Sequence, residues 1–204
     1  MKGLYAIIDP EHCAGRDPRF VAREVLHGGC AALQLRAKLL PDDARLELAR
    51  ELAEACREHG VPFWLNDRVD LGLLTSAAGV HLGQHDLPLA DARSLFPRGL
   101  LGRSTHSLAQ AEAAARAGAD VIGFGPIFPT SSKHNPDPCV GLAGLRAVCS
   151  QVRCPVIAIG GIELAHASEI AASGAEYAAA IGTLCRATDP RAAARALHRA
   201  LLDG

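Results

Sequence analysis

The sequence lacks the features that would direct a chain to a membrane or to nucleic acid. No apolar segment of its 204 residues approaches the roughly 20 residues that a transmembrane helix needs, and the apolar segment at 4–8 is too short for a secretory signal. Charge of one sign is not in excess, because 21 Lys and Arg residues stand against 22 Asp and Glu residues. A net charge of -1 gives no general electrostatic reason to bind nucleic acid or an anionic membrane. We therefore expect a soluble, cytoplasmic protein.

Paired cysteine motifs are also absent. The seven cysteines are odd in number and no two are separated by two residues, so their spacing favours neither a disulfide framework nor a zinc knuckle. We expect most of them to be small buried apolar residues.

The sequence does contain a repeated alternation of strand-like and helix-like segments. Strand-like apolar runs occur at 4–8, 31–36, 62–66, 79–82, 100–105, 120–128, 155–160 and 176–182. Segments with helical spacing lie between them, such as Ala44, Leu48, Leu52 and Ala55. This alternation predicts a parallel sheet, and eight units favour a closed (β/α)8 TIM barrel over a doubly wound sheet. With 49% hydrophobic and 21% charged residues, we expect a single domain over residues 1–204.

The carboxyl end of the second predicted strand carries an amide and two cations. Alternation with a period of two places Gln34, Arg36 and Lys38 on one side, where they would face the mouth of the barrel. An amide and two cations in phase suit a polyanion. The alternative is a strand end whose charges simply reach solvent.

The third and fourth predicted strands each lead to a carboxylate. Asp67 and Asp86 would approach the same face, and carboxylate oxygens together with water and phosphate oxygens are the ligands of Mg²⁺. The alternatives are a helix cap for Asp67 and a turn residue for Asp86. A zinc site is less favoured, because His81 and His85 lie on a strand and a turn with no evident third ligand.

Three further loops offer groups that bind phosphate. The loop at 129–140 contains Thr130, Ser132 and Lys133, and it is not a Walker loop. Gly160-Gly161 and Ile181-Gly182 follow the seventh and eighth strands, where phosphate-binding barrels hold a phosphate on glycine backbone. The glycine pair could instead only relieve crowding. Two sites for anions, one lined by cations and one by uncharged groups, predict a diphosphate leaving group and a phosphorylated acceptor.

Six motifs occur in order along nearly the whole chain. They are QLRAK at 34–38, NDRVD at 66–70, GVHLGQ at 79–84 with DLP at 86–88, STH at 104–106, GPIFPT at 125–130 with Ser132 and Lys133, and AIGGI at 158–162. In this set the chain resembles the thiamine phosphate synthase (thiamine-phosphate pyrophosphorylase) family, whose barrel relatives include the thiazole tautomerases.

The resemblance implies coupling of 4-amino-5-hydroxymethyl-2-methylpyrimidine diphosphate, here called the pyrimidine diphosphate, to 4-methyl-5-(2-hydroxyethyl)thiazole phosphate, here called the thiazole phosphate. The products would be thiamine phosphate and diphosphate, with diphosphate leaving before the thiazole nitrogen attacks. The resemblance also implies Mg²⁺ as the cofactor, bound by Asp67 and Asp86. It implies that the diphosphate is held by Arg36, Lys38, Asn66 and Lys133 beside Thr130 and Ser132, the pyrimidine by Gln34 and Ser104, and the thiazole phosphate by Gly161, Ile181 and Gly182.

Departures from the family pattern leave two alternatives open. Ala37 stands where the family usually has Glu, and Gly182 where it often has Ser. The segment at 102–107 is closer to the tautomerases, but Pro126 stands at the position of their catalytic histidine and has no proton to transfer. The other alternative is a non-catalytic sensor of a phosphorylated ligand. His81, His85 and His106 are interpreted as structural or orienting groups.

Overall fold

The computed structural model describes residues 2–132 and 137–204, in which eight parallel strands form a closed barrel. The strands are β1 (Gly3–Ile8), β2 (Ala32–Leu35), β3 (Phe63–Asn66), β4 (Gly79–Leu82), β5 (Leu100–Thr105), β6 (Val121–Phe124), β7 (Val156–Ala158) and β8 (Tyr177–Ala180). Each strand pairs with the next one along the chain, and β8 pairs with β1 to close the barrel. The predicted (β/α)8 barrel is confirmed.

Helices follow the strands and cover the outside of the barrel. They are α1 (Pro18–Gly28), α2 (Asp42–Glu58), α3 (Val69–Leu74), α4 (Leu89–Leu95), α5 (Leu108–Arg116), α6 (Gly141–Gln151), α7 (Ala167–Ala171), α8 (Gly182–Cys185) and α9 (Pro190–Asp203). Asp17 and Asp189 accept hydrogen bonds from the first-turn N–H groups of α1 and α9, each of which begins with proline. No helix in the described part of the chain is long and apolar enough to cross a bilayer.

The strands are buried on both faces, because one face meets the helices and the other fills the barrel. Leu4, Ala6 and Ile8 of β1 belong to the large core between strands and helices. Tyr5 instead lies in the barrel interior with Trp64, and their ring centroids are 5.9 Å apart. This two-sided burial explains why the strand sequences are apolar at nearly every position.

Three predicted strands extend further than the observed ones. The runs at 120–128, 155–160 and 176–182 shorten to β6, β7 and β8, each three or four residues long. β6 stops before Gly125-Pro126, since proline cannot donate to a strand ladder. β7 stops before Gly160 and Gly161, which have φ angles of +89° and +66° and turn the chain away from the barrel wall.

The cysteines are free, as their spacing predicted. Cys13, Cys30, Cys56 and Cys185 are buried, Cys149 and Cys154 are half-buried, and Cys139 is exposed. Most therefore pack as small apolar side chains, in agreement with the prediction.

Candidate active site

A cavity of about 570 Å³ lies at the carboxyl ends of the barrel strands. Such a volume is typical of sites that hold small molecules. The cavity brings together nine of the site residues predicted from the sequence: Gln34, Arg36, Asn66, Ser104, Thr130, Ser132, Gly161, Ile181 and Gly182. Tyr5, Ile7, Ile157 and Ala179 supply apolar wall from the inside of the barrel. Polar groups thus surround a largely apolar interior.

A chain of hydrogen bonds fixes two amide side chains in the cavity wall. The Tyr5 hydroxyl donates to Gln34 Oε1 at 2.9 Å, and Gln34 Nε2 donates to Asn66 Oδ1 at 3.1 Å. Tyr5 and Gln34 are only 2% and 3% exposed. Burial raises the pKa of Tyr5 well above its usual value, so the hydroxyl stays protonated. Because Asn66 accepts through Oδ1, its Nδ2 group is available to donate to a ligand.

A buried carboxylate that the sequence analysis did not single out holds Arg36. Asp9 follows β1, is fully buried, and accepts a hydrogen bond from Arg36 Nη1 through Oδ2. The same oxygen lies 3.2 Å from His12 Nδ1, and Oδ1 accepts from the Glu11 N–H at 3.0 Å. Arg36 therefore faces the cavity with one edge of its guanidinium fixed by Asp9.

Lys38 does not line the main cavity, which corrects the prediction that it shares one face with Gln34 and Arg36. β2 ends at Leu35, so the two-residue alternation stops before Lys38, which lies in a turn. Lys38 Nζ instead lies 2.9 Å from Asp67 Oδ2, in an adjoining cavity of about 190 Å³. Asn66 lines both cavities, so this ion pair lies directly beside the main one.

The two predicted metal ligands lie next to each other. Asp67 has a φ angle of +65°, a left-handed conformation that Asp tolerates better than most residues, and its carboxyl lies within hydrogen-bonding reach of Asp86. Asp86 Oδ2 also accepts from the Gly83 N–H at 2.6 Å. The turn after β4 and the left-handed residue after β3 together bring two acidic groups to one point.

The two carboxyl groups of this pair have pKa values that are shifted in opposite directions. Burial raises the pKa of Asp67 to about 6, the hydrogen bond with Asp86 adds to the rise, and Lys38 opposes it. Burial also works against ionisation of Asp86, but hydrogen bonds from Asp67 and from the Gly83 N–H lower its pKa below the usual value. A second positive charge would allow both groups to ionise.

This donor set fits Mg²⁺. In the described ranges no third His, Cys, Asp or Glu completes a cluster with the pair. Mg²⁺ is commonly bound by one or two carboxylates, with water and substrate phosphate oxygens in the remaining positions. Asp67 and Asp86 could therefore hold the ion beside the cavity.

The three histidines interpreted above as structural or orienting groups, His81, His85 and His106, differ in their surroundings. His81 lines the cavity, and its Nε2 lies 3.0 Å from Ser104 Oγ. His106 also lines the cavity, with Nδ1 2.5 Å from the Gly125 carbonyl oxygen and Nε2 3.2 Å from Asp137 Oδ2. His85 is exposed. The contacts of His81 and His106 suit groups that orient their neighbours.

The loops after β6 and β7 meet at the rim of the cavity. Thr130 Oγ1 accepts from the Ser132 N–H at 3.2 Å, which shapes the loop after β6, while the predicted Lys133 lies outside the described residues. A β-carbon on Gly161 would lie 2.5 Å from the Pro129 carbonyl oxygen. Close packing of the two loops therefore requires glycine at 161, whether or not its backbone also binds phosphate.

The glycine-lined end of the cavity is not neutral, contrary to the prediction. Arg186 lines the cavity, and its guanidinium atoms lie 3.6 Å from the position that a β-carbon on Gly182 would take. The motif that predicted this site ends at Gly182 and gave no signal for Arg186, one helical turn further on.

Comparison with known proteins places these features in one family. A profile described as "Thiamine monophosphate synthase" matches residues 4–184. Thiamine-phosphate synthase of Chloroflexus aurantiacus is 43% identical over 200 residues, which cover 98% of this chain and 92% of that protein. Thiamine-phosphate synthase of Shouchella clausii is 43% identical over 199 residues, with 97% and 95% covered. The structure of thiamine phosphate pyrophosphorylase from Pyrococcus furiosus superimposes with a TM-score of 0.91 at 34% identity, covering 98% of this chain and 96% of that one.

Proposed function

The chain belongs to the thiamine monophosphate synthase family, and on this premise we propose that it joins the pyrimidine diphosphate to the thiazole phosphate. The bond between the pyrimidine methylene carbon and the diphosphate oxygen breaks, and the diphosphate leaves with the electron pair. The thiazole nitrogen then forms a bond to the same carbon. The products are thiamine phosphate and diphosphate. The comparisons give no support to a tautomerase or to a sensor.

The observation that carries the proposal is the division of polar groups within one cavity. Amide and guanidinium groups lie on or directly after β2 and β3 (Gln34, Arg36, Asn66), while glycines follow β7 and β8 (Gly161, Gly182). Apolar barrel residues lie between the two groups. Two small molecules with anionic tails can therefore bind with their reacting rings together and their charges apart.

The reaction needs charge stabilisation more than it needs a nucleophilic side chain. In a dissociative step negative charge grows on the departing diphosphate, and donors that are already oriented stabilise it without a cost of reorganisation. Arg36 is fixed by Asp9 and Asn66 is oriented by Gln34, so both fulfil this condition. Lys38 lies beside them on Asp67. The apolar wall keeps water from the carbon that the thiazole nitrogen attacks.

We propose Mg²⁺ as the cofactor, bound by Asp67 and Asp86. When bound, the ion neutralises charge on the diphosphate and so makes it a better leaving group. The two side chains bind and orient, and they transfer no proton in the reaction. With Asp67 occupied in this way, Lys38 is free to turn toward the phosphate oxygens.

The assay that tests the function is direct. Purified protein with both substrates and Mg²⁺ should form thiamine phosphate and diphosphate, with the product identified by its mass. Omission of either substrate or addition of a chelator should abolish the product. Interconversion of thiazole tautomers without any coupling would contradict the proposal and assign the chain to the tautomerases.

Replacing Tyr5 should test the orienting role of its hydroxyl. In Tyr5→Phe the Gln34 amide loses the partner that fixes it and can adopt either orientation, so Asn66 no longer presents Nδ2 in every molecule. We expect kcat/KM for the pyrimidine diphosphate to fall about tenfold, and the free energy of unfolding to fall by about 1 kcal/mol.

Tyr177→Phe is the matched control, because Tyr177 carries the same hydroxyl on β8 and is not among the residues that line the cavity. Steady-state kinetics of the two variants separate the effects. Equal activity of Tyr5→Phe and wild type would show that the phenol only fills space.

We also propose a cytoplasmic location. All seven cysteines are free, and reduced thiols are typical of the cytosol. The substrates are small phosphorylated molecules, and the net charge of -1 offers no reason to add nucleic acid as a partner.

A further inference from the structure

Arg186 is a cation at the mouth of the cavity that the proposed reaction has not used. It directly follows the short helix α8, and its side chain folds back over the start of that helix to lie beside Gly182. Nη2 lies 3.4 Å from Ser131 Oγ, in the loop after β6. The guanidinium therefore spans the gap between the β8 loop and the β6 loop, on the wall of the cavity.

Arg186 differs from the other two cations of the site in how its charge is paired. Arg36 pairs with Asp9, and Lys38 pairs with Asp67. No carboxylate lies within ion-pair distance of Arg186 in the part of the chain that the structure describes. Its guanidinium is bonded to a neutral hydroxyl, so it keeps its full positive charge for an anion in the cavity.

The position of Arg186 indicates which of the two substrate anions, the diphosphate or the thiazole phosphate, it can bind. In a closed barrel of eight strands, β8 lies opposite β4, and β7 lies opposite β3. Asp67 and Asp86 follow β3 and β4, so the proposed ion and the diphosphate belong to the far side. Arg186 shares its side of the cavity with Gly161 and Gly182, whose backbone groups carry no charge. Glu163 also lines the cavity, but no ion pair joins its carboxylate to Arg186 among the described residues.

Resting on the proposed function, we propose that Arg186 binds the phosphate of the thiazole substrate and sets the preference for a phosphorylated acceptor over its free alcohol. The planar guanidinium can donate two parallel hydrogen bonds to one phosphate. Uncharged donors from the glycine loops would complete the shell. Binding to Ser131 holds the side chain across the opening until the acceptor arrives.

The experiment compares two acceptors in wild type and Arg186→Gln. At saturating pyrimidine diphosphate, KM for the thiazole phosphate should rise about tenfold or more in the variant, because a charged hydrogen-bond donor is replaced by a neutral one. The kcat/KM for the free thiazole alcohol should stay within twofold, since that acceptor has no phosphate to lose. The KM for the pyrimidine diphosphate should also stay within twofold.

Two controls make the outcome decisive. Arg116→Gln removes an exposed arginine of α5 that lies 3.8 Å from Glu112. This substitution should change none of these constants. Arg186→Lys should recover part of the lost affinity for the thiazole phosphate. If Arg186→Gln loses activity equally toward phosphate and alcohol, or loses none, the inference is wrong. Failure of wild type to couple at all would instead overturn the proposed function.

Discussion

Asp67→Asn and Asp86→Asn should each slow coupling by about 100-fold or more at a fixed Mg²⁺ concentration. Each substitution keeps the size of the side chain and removes an anionic oxygen from a pair that is already in contact. The half-saturating concentration of Mg²⁺ should rise in both variants, because each removes one of the two carboxylates proposed to bind the ion. High Mg²⁺ should restore part of the rate.

The double variant Asp67→Asn/Asp86→Asn should be little slower than the slower single variant, since the second substitution acts on a site that is already disabled. The measurement is a Mg²⁺ titration of the coupling rate in all four proteins. Asp203→Asn, an exposed residue at the end of α9, serves as the control. Identical half-saturation in wild type and both single variants would show that these carboxylates only shape the turns after β3 and β4.

The second large effect is expected from Asp9→Asn. Removing this charge leaves the Arg36 guanidinium without its buried partner, and breaking a buried ion pair costs about 3 kcal/mol of stability. Arg36 should also lose its fixed position at the cavity wall. A shift of this kind in Arg36, which we propose holds the leaving diphosphate, can cost about 100-fold in kcat/KM.

A double-mutant cycle distinguishes positioning from a general loss of packing. Asp9→Asn/Arg36→Gln removes both charges, so it should unfold at a higher urea concentration than Asp9→Asn alone while it remains as slow. Urea denaturation and steady-state kinetics at 25 °C supply both readings. Strictly additive effects of the two substitutions, on stability and on rate, would show that Asp9 does not act through Arg36.

The barrel itself was predictable because each strand is short, apolar on both faces and followed by a segment with helical spacing. The local sequence pattern is sufficient to predict the barrel, and the closed sheet confirms that prediction. The strand ends were less predictable. Lys38 was placed by continuing an alternation that β2 does not maintain beyond Leu35, and the runs toward Gly125 and Gly160 were read as strand. Apolar residues continue along the chain beyond the point where the backbone geometry ends the pairing of the strands.

The site was partly predictable because groups at the carboxyl ends of parallel strands converge wherever the barrel closes. The missed residues are those whose role depends on a partner from another strand. Asp9 follows β1 as Asp67 follows β3, which was an available signal, but its pairing with Arg36 depends on the register between β1 and β2. Tyr5 is indistinguishable in sequence from any other core aromatic residue, and only its contact with Gln34 shows that its hydroxyl orients a polar side chain.

The edge-to-face contact of Trp64 with Tyr5 has a practical consequence. Trp64 is the single tryptophan of the chain, and it lies in the barrel interior against Tyr5, which lines the cavity. Its emission spectrum is therefore an intrinsic optical signal that comes from one known place. We expect a ligand bound in the cavity that Tyr5 lines to change the polarity around that indole, so substrate affinity could be followed by fluorescence titration without turnover, even in variants too slow to assay.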